Sequence, residues 1–174
     1  MRIISGTHKG RRINPPKNLP IRPTTDRAKE ALFSIIDNRY YFAEKNMLDL
    51  FCGSGNISFE FASRGVEKVT AVDSNSNCVD FIETTSKNLE LNVQAIKSDG
   101  LKFAQNCKQQ FNFIFADPPY NYTHYQQLKE VIINNDLVKK EGLLIIEHDK
   151  EIAFEDENVS MKKYGTVHFS IFSF

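Results

Sequence analysis

Asp49-Leu50-Phe51-Cys52-Gly53-Ser54-Gly55-Asn56 ends a short apolar run that begins at Met47, and Asp73 closes the next such run 18 positions after Gly55. Glycines at a strand-to-helix turn let a ligand approach the backbone, and an acid about 20 residues further on can accept both hydroxyls of a ribose. An isolated Gly-x-Gly is explained equally well by a tight turn with no ligand, so the neighbouring residues decide. Ser58 occupies the third position of the dinucleotide fingerprint, where close helix packing favours Gly or Ala. Asp49 sets a carboxylate beside the loop, where it would repel a pyrophosphate and suit a cationic amino acid group. The pattern favours a nucleoside ligand without a pyrophosphate over a nicotinamide dinucleotide.

From residue 47 onward, short apolar runs alternate with longer amphipathic ones, which predicts strands joined by crossover helices in a parallel sheet. Strands are expected over residues 47–51, 68–72, 93–96, 111–116, 143–147, 159–163 and 167–172. Helices are expected over 55–64, 75–91 and 122–134, with a short one near 100–106. Only Tyr164-Gly165-Thr166 joins the last two strands, too little for a crossover, so they should pair as an antiparallel hairpin. The expected fold class is α/β: a mostly parallel seven-stranded sheet ending in one antiparallel strand, with helices on both faces.

Residues 1–23 hold four of the six prolines together with Gly6 and Gly10, which predicts a small hairpin and an extended connector ahead of a catalytic unit at 24–174. A helix should begin at Thr24 or Thr25, with Asp26 favourable in its first turn and an apolar stripe at Ala28, Leu32, Ile35 and Ile36. Equal numbers of basic and acidic residues, 22 of each, hide an uneven division. Residues 1–30 carry Arg2, Lys9, Arg11, Arg12, Lys17, Arg22, Arg27 and Lys29 against Asp26 and Glu30, a net +6, while the remaining 144 residues carry −6. A +6 segment can contact several phosphates with salt-sensitive affinity; a solvated basic face is the plainer alternative.

Cys52, Cys78 and Cys107 form no Cys-x-x-Cys pair, which argues for a reducing compartment, the cytoplasm, and against a disulfide framework or a zinc site. No signal peptide and no membrane span is legible.

The fourth expected strand runs into Asp117-Pro118-Pro119-Tyr120. Two prolines stiffen the chain and hold the carboxylate and the following ring in fixed relation at the carboxyl end of the strand. Asp117 and the Pro118 carbonyl can accept from an exocyclic amino group, drawing its lone pair out of ring conjugation, while Tyr120 stacks on the unstacked base. Rate then comes from orientation and local electrostatics. None of the three cysteines lies beside this segment, so a cysteine nucleophile for cytosine C5 chemistry is missing. Asp117 follows Gly55 by 62 positions that the expected core elements fill, which leaves no room for an inserted target-recognition domain.

These segments resemble a known family. Asp49 to Gly55 is similar to the first motif of Rossmann-like class I methyltransferases. That resemblance implies S-adenosylmethionine as cofactor, with Asp49, Phe51, Gly53, Ser54 and Gly55 under the methionine portion and Asp73 with Ser74 at the ribose. Ser98-Asp99-Gly100 resembles the next motif, whose acid accepts from the adenine amino group. Asp117-Pro118-Pro119-Tyr120 resembles the catalytic segment of amino-methyltransferases. The basic start, Arg-Pro-Thr-Thr-Asp-Arg at 22–27, the glycine loop, the Asp-Pro-Pro segment and the closing hairpin stand in the order of the bacterial RsmD family across essentially the whole chain; Tyr120 replaces the Phe of many members. The resemblance implies transfer of a methyl group to N2 of a guanine in small-subunit ribosomal RNA, within an assembling small subunit, by a monomer that needs no metal and no membrane. Arg2, Lys9, Arg11, Arg12, Arg22 and Arg27 are the candidate RNA contacts. Adenine-N6 methylation of RNA or DNA, and a catalytically silent RNA-binding module, are the competing readings.

Overall fold

Asn46–Leu50 (β1) sends alternate side chains to opposite faces: Met47 enters one apolar core, Leu48 and Leu50 the other, and all three are fully buried. Such burial on both faces is what a central strand under two helical layers requires. The computed structural model describes residues 1–17, 19, 24–119 and 121–174. Among them, seven strands form one sheet in the order β3-β2-β1-β4-β5-β7-β6, with β2 at Lys68–Asp73, β3 at Val93–Lys97, β4 at Phe111–Ala116, β5 at Val138–His148, β6 at Val159–Tyr164 and β7 at Val167–Ser173. β1 to β5 pair in parallel, and β7 runs antiparallel to both β5 and β6.

α1 (Asp26–Asp37), α2 (Asn56–Ser63) and α3 (Ser76–Asn88) cover one face, packing Leu32, Phe59 and Ile82 with Phe113 and Phe115. α4 (Gly100–Asn106) and α5 (Tyr125–Asn134) cover the other, packing Ala104, Leu128 and Ile132 with Ile114 and Leu144. The chain winds outward from β1 to β3 and then returns to the other side of β1 through β4. Strand order therefore reverses between β1 and β4, and a crevice opens beyond their carboxyl ends, where α/β sheets bind ligands.

The α/β class is as expected, with differences in detail. The sheet does not end in its reversed strand: β7 inserts between β5 and β6, and β6 takes the edge. β7 is buried along most of its length whereas β6 exposes Ser160, Met161, Lys162 and Lys163, and a lysine-bearing strand is suited to an unpaired edge. β5 starts at Val138, five residues earlier than expected, because its first residues pair with β4 across a register shift between Phe111 and Phe113. Glu141 adopts φ 61° there. α5 begins only at Tyr125, and α1 begins at Asp26, where the Thr25 hydroxyl caps it by accepting from Ala28 N at 3.2 Å.

The amino-terminal hairpin is built as expected, with Arg2 bridged to Arg12 and Ile3 N donating to Arg11 O at 2.9 Å. It is welded to the rest of the molecule: Ile3 and Ile13 belong to the main core, and Thr7 N donates to Ser63 O at the end of α2 at 2.7 Å. Gly6 sits at φ +84° so close to α2 that a Cβ would lie 1.8 Å from Ser63 O.

Candidate active site

Beyond the ends of β1, β2, β4 and β5 lies a cavity of about 680 Å³, within the ordinary range of small-molecule sites. The ladder is closed behind it: Cys52 N donates to Val72 O at 3.0 Å, Ser98 N to Asp73 O at 3.0 Å, and Asp117 N to Leu50 O at 3.3 Å.

The glycine loop forms one wall. Asp49 is buried within β1, and its Oδ2 accepts from Ser58 Oγ at 2.5 Å. Burial pushes the Asp49 carboxyl up to about 7, and the nearby Asp73 adds to the rise while the Ser58 hydrogen bond opposes it. The Asp73 carboxylate accepts from Gly53 N and Asn75 N, both at 2.8 Å, one bond per oxygen. Each oxygen can accept a second bond, so Asp73 keeps capacity for a pair of hydroxyls. Gly55 stands behind the loop as the left-handed N-cap of α2, φ 74°, where a Cβ would meet Phe59 at 2.9 Å.

Phe51, Asp99 and Tyr122 form a second station. The Phe51 and Tyr122 rings meet edge to face, centroids 5.4 Å apart, and Tyr122 meets Tyr125 likewise at 5.3 Å. Phe51 takes a positive φ of 62°, and its ring lies over Gly100, where a Cβ would come within 2.6 Å. Asp99 caps α4 by accepting from Lys102 N at 2.9 Å. The Tyr122 hydroxyl is buried with no hydrogen-bond partner among the described residues. Burial raises its pKa to about 12, with the Asp99 charge contributing.

Asp117, Pro118 and Pro119 leave β4 between the end of β1, where Asp117 N reaches Leu50 O, and the end of β5, and they line the cavity together with Thr24, Glu147, His148 and Asp149. Tyr120 and Arg22 lie outside the described residues. Thr24 Oγ1 donates to Glu147 Oε2 at 2.8 Å. His148 is buried, its Nδ1 at 2.6 Å from Asp149 O and its Nε2 at 2.8 Å from Ser170 Oγ, and burial lowers its pKa. Cys52 and Cys78 also line the cavity, but burial raises both thiols, Cys78 to about 11, so neither is a thiolate nucleophile at neutral pH.

Of the expected ligand residues, Asp49, Phe51, Gly53, Ser54, Asp73, Ser74, Asp99, Asp117, Pro118 and Pro119 share this cavity. Gly55, Ser98 and Gly100 support it from behind. Six carboxylates line it, and no Lys or Arg does among the described residues. The lining suits a cationic ligand and repels a phosphate. Tyr125, on α5, is part of the second apolar core and Tyr122 packs against it, and both also line the cavity. Sequence reasoning also missed Asn56, Glu147, His148 and Asp149; the abrupt polar break after the apolar run 143–146 is the signal that could have found the last three.

The basic residues stand apart from this cavity. Lys9, Arg11, Arg12, Lys17 and Arg27 are exposed. Arg2 is tied to Glu30 at 3.1 Å and Asp26 at 3.8 Å, and Lys29 is buried, so the +6 of the amino end is not all available to a partner.

The model of a family described as "Conserved hypothetical protein 95" matches residues 1–173. "Putative rRNA methyltransferase YlbH" of Bacillus subtilis is 35% identical over 87% of this chain and 84% of its own length. "Ribosomal RNA small subunit methyltransferase D" of Haemophilus influenzae is 29% identical over 87% of this chain and 80% of its own. Among solved structures, "Putative methyltransferase yhhF" from Escherichia coli superposes with a TM-score of 0.87 at 26% identity, covering 99% of this chain and 97% of that one.

Proposed function

Because the chain belongs to the family described as conserved hypothetical protein 95, the RsmD family, we propose that it transfers a methyl group from S-adenosylmethionine to N2 of a guanine in small-subunit ribosomal RNA. The observation that carries this reading is a shared cavity: the glycine loop with Asp49 and Asp73, and Asp117-Pro118-Pro119 from the neighbouring strand, line the same opening.

The residues present fit S-adenosylmethionine. In this reading Asp49 meets its ammonium, the remaining acceptor capacity of Asp73 its ribose hydroxyls, and Phe51 with Asp99 its adenine. The unpartnered Tyr122 hydroxyl supports a polar ligand at the adenine end, since a buried hydroxyl left unpaired is costly. When bound, the cofactor supplies an activated methyl group on sulfur.

The chain's own work is orientation. Asp117 and the Pro118 carbonyl accept from the amino group of the target base and turn its lone pair toward the methyl carbon. The Tyr120 ring stacks on the base. The prolines fix these groups, and loss of the amine proton to water completes the step without a general base. Carboxylates around the opening repel the RNA backbone, which the exposed Lys9, Arg11, Arg12 and Arg27 attract instead, together with Arg2 and Arg22. The extension at residues 1–23 is the RNA-binding part. A partly assembled small subunit in the cytoplasm is the proposed substrate, and the chain acts as a monomer.

Labelled-methyl transfer to small-subunit RNA, naked and partly assembled, tests this reading with wild type and Asp117→Ala. Wild type should label the RNA, and the variant should fall by about a hundredfold while its cofactor dissociation constant moves less than about threefold. Absence of label in RNA, or full turnover by the variant, contradicts the assignment.

A further inference from the structure

Lys29 lies in the most basic part of the sequence, yet it is 1% exposed and makes its bonds inside the protein. Its ammonium donates to Arg2 O of the hairpin at 2.7 Å and to Asn56 Oδ1 at 2.8 Å, and stands 3.5 Å from the fully buried Glu60 carboxylate. Asn56 is the first residue of α2 and lines the cavity. Its Nδ2 donates to Thr24 O at 2.9 Å, and the Thr24 hydroxyl donates to Glu147 Oε2 at 2.8 Å. An unbroken chain of hydrogen bonds thus runs from the hairpin backbone, through the cofactor loop's helix, to the cavity wall beside Asp117.

The hairpin is anchored a second time at Glu60. Ile4 N donates to Glu60 Oε2 at 2.8 Å, Ser5 N to Oε1 at 3.1 Å, and Arg64 Nε to Oε1 at 2.8 Å. This second anchor holds the hairpin on α2 but does not reach the cavity mouth. The Lys29–Asn56–Thr24 branch reaches Glu147 there, while a weaker contact from Ser54 Oγ to Met1 Sδ at 3.4 Å meets the cavity lining at the glycine loop. A buried ammonium with three fixed acceptors tolerates little displacement, because each lost bond leaves a charged group unpaired in a dry site.

We propose that Lys29 is a positioning residue that couples the seating of the RNA-binding hairpin to the placement of Thr24 and Glu147 at the mouth where the target base enters. The inference rests on the reading that the chain methylates RNA. RNA held on the exposed arginines of the hairpin is presented at an offset from the cavity that Lys29 helps to set, while Glu60 holds the hairpin on α2. Coupling of this kind is established by non-additivity, not by proximity.

The test uses Lys29→Gln, Thr24→Val and the double variant, in methyl transfer at saturating RNA and cofactor, with RNA affinity, cofactor affinity and melting temperature measured alongside. Thr24→Val leaves the buried charges whole, so it remains informative should Lys29→Gln fold poorly. Each single variant should lower kcat by roughly tenfold, one lost orienting contact, while both dissociation constants stay within about threefold. The double variant should be no slower than the slower single one. Wild-type kcat in Thr24→Val, or losses that multiply in the double variant, overturns the coupling. RNA affinity falling in step with kcat also overturns it, since Lys29 then acts on docking alone. A wild-type chain that never labels RNA contradicts the underlying reading instead.

Discussion

Ser58 Oγ donates to Asp49 Oδ2 at 2.5 Å, with Asp49 1% and Ser58 0% exposed. The serine that broke the dinucleotide fingerprint is thereby the partner of the carboxylate that made a dinucleotide implausible. The pair has a measurable consequence, because burial raises Asp49 from an ordinary 3.8 to about 7.

A carboxyl whose pKa is higher folded than unfolded favours the fold most when protonated. Stability from this group is therefore greatest below about pH 4, declines as pH rises through 7, and is constant above. At 1.36 kcal/mol per unit the full span is up to about 4 kcal/mol. Asp49→Asn should melt at a higher temperature than wild type at pH 8 and gain little at pH 4. Its affinity for S-adenosylmethionine should be weaker, whereas wild-type affinity should fall by up to tenfold per unit below pH 7. Thermal unfolding and calorimetric titration at two pH values check both; a pH-independent difference in melting temperature contradicts the burial account.

The contact of Phe51 with Gly100 predicts a selective effect. A Cβ at residue 100 would lie 2.6 Å from the far end of the Phe51 ring, which can swing away more cheaply than backbone can move. Gly100→Ala should therefore fold with a near-normal melting temperature but bind cofactor roughly tenfold more weakly, about 1.4 kcal/mol. Unchanged cofactor affinity would show that the Phe51 ring is not part of the site.

The exposed and the tied basic residues should behave differently. Replacing Lys9, Arg11 and Arg12 together by Ala should weaken RNA binding and reduce the slope of log affinity against log salt by roughly 2, at about 0.7 to 0.9 for each phosphate contact. Arg2→Ala should change the slope less, since Glu30 and Asp26 already neutralise Arg2. Filter binding over a salt series distinguishes these outcomes, and an unaltered slope in the triple variant removes the hairpin from the RNA interface.

The parts of the site legible in the sequence were those carried by local chemistry. Gly53, Gly55 and Asp73 announce a loop and an acid by spacing alone, and Asp117-Pro118-Pro119 is contiguous. What escaped was assembled across the fold. Thr24 with Lys29 at the start of α1, Asn56 and Glu147 come from three places separated by up to 123 positions, and no periodicity links them. Charge counting placed Lys29 on a surface because it could not register Glu60, an acid buried within the apolar α2. The early start of β5 was hidden for a similar reason. Lys139, Lys140 and Glu141 are polar and break the apolar run that marks the strand at 143–147, yet they follow Val138 in the first part of β5, whose pairing with β4 is irregular there.

The central claim is transfer of a methyl group to the exocyclic amine of guanine. Its most direct test is mass spectrometry of nucleosides released from small-subunit RNA after incubation with the protein and labelled S-adenosylmethionine. Label in N2-methylguanosine, lost in Asp117→Ala, is the predicted result. Label confined to N6-methyladenosine, or none in any RNA nucleoside while the cofactor binds, would contradict it.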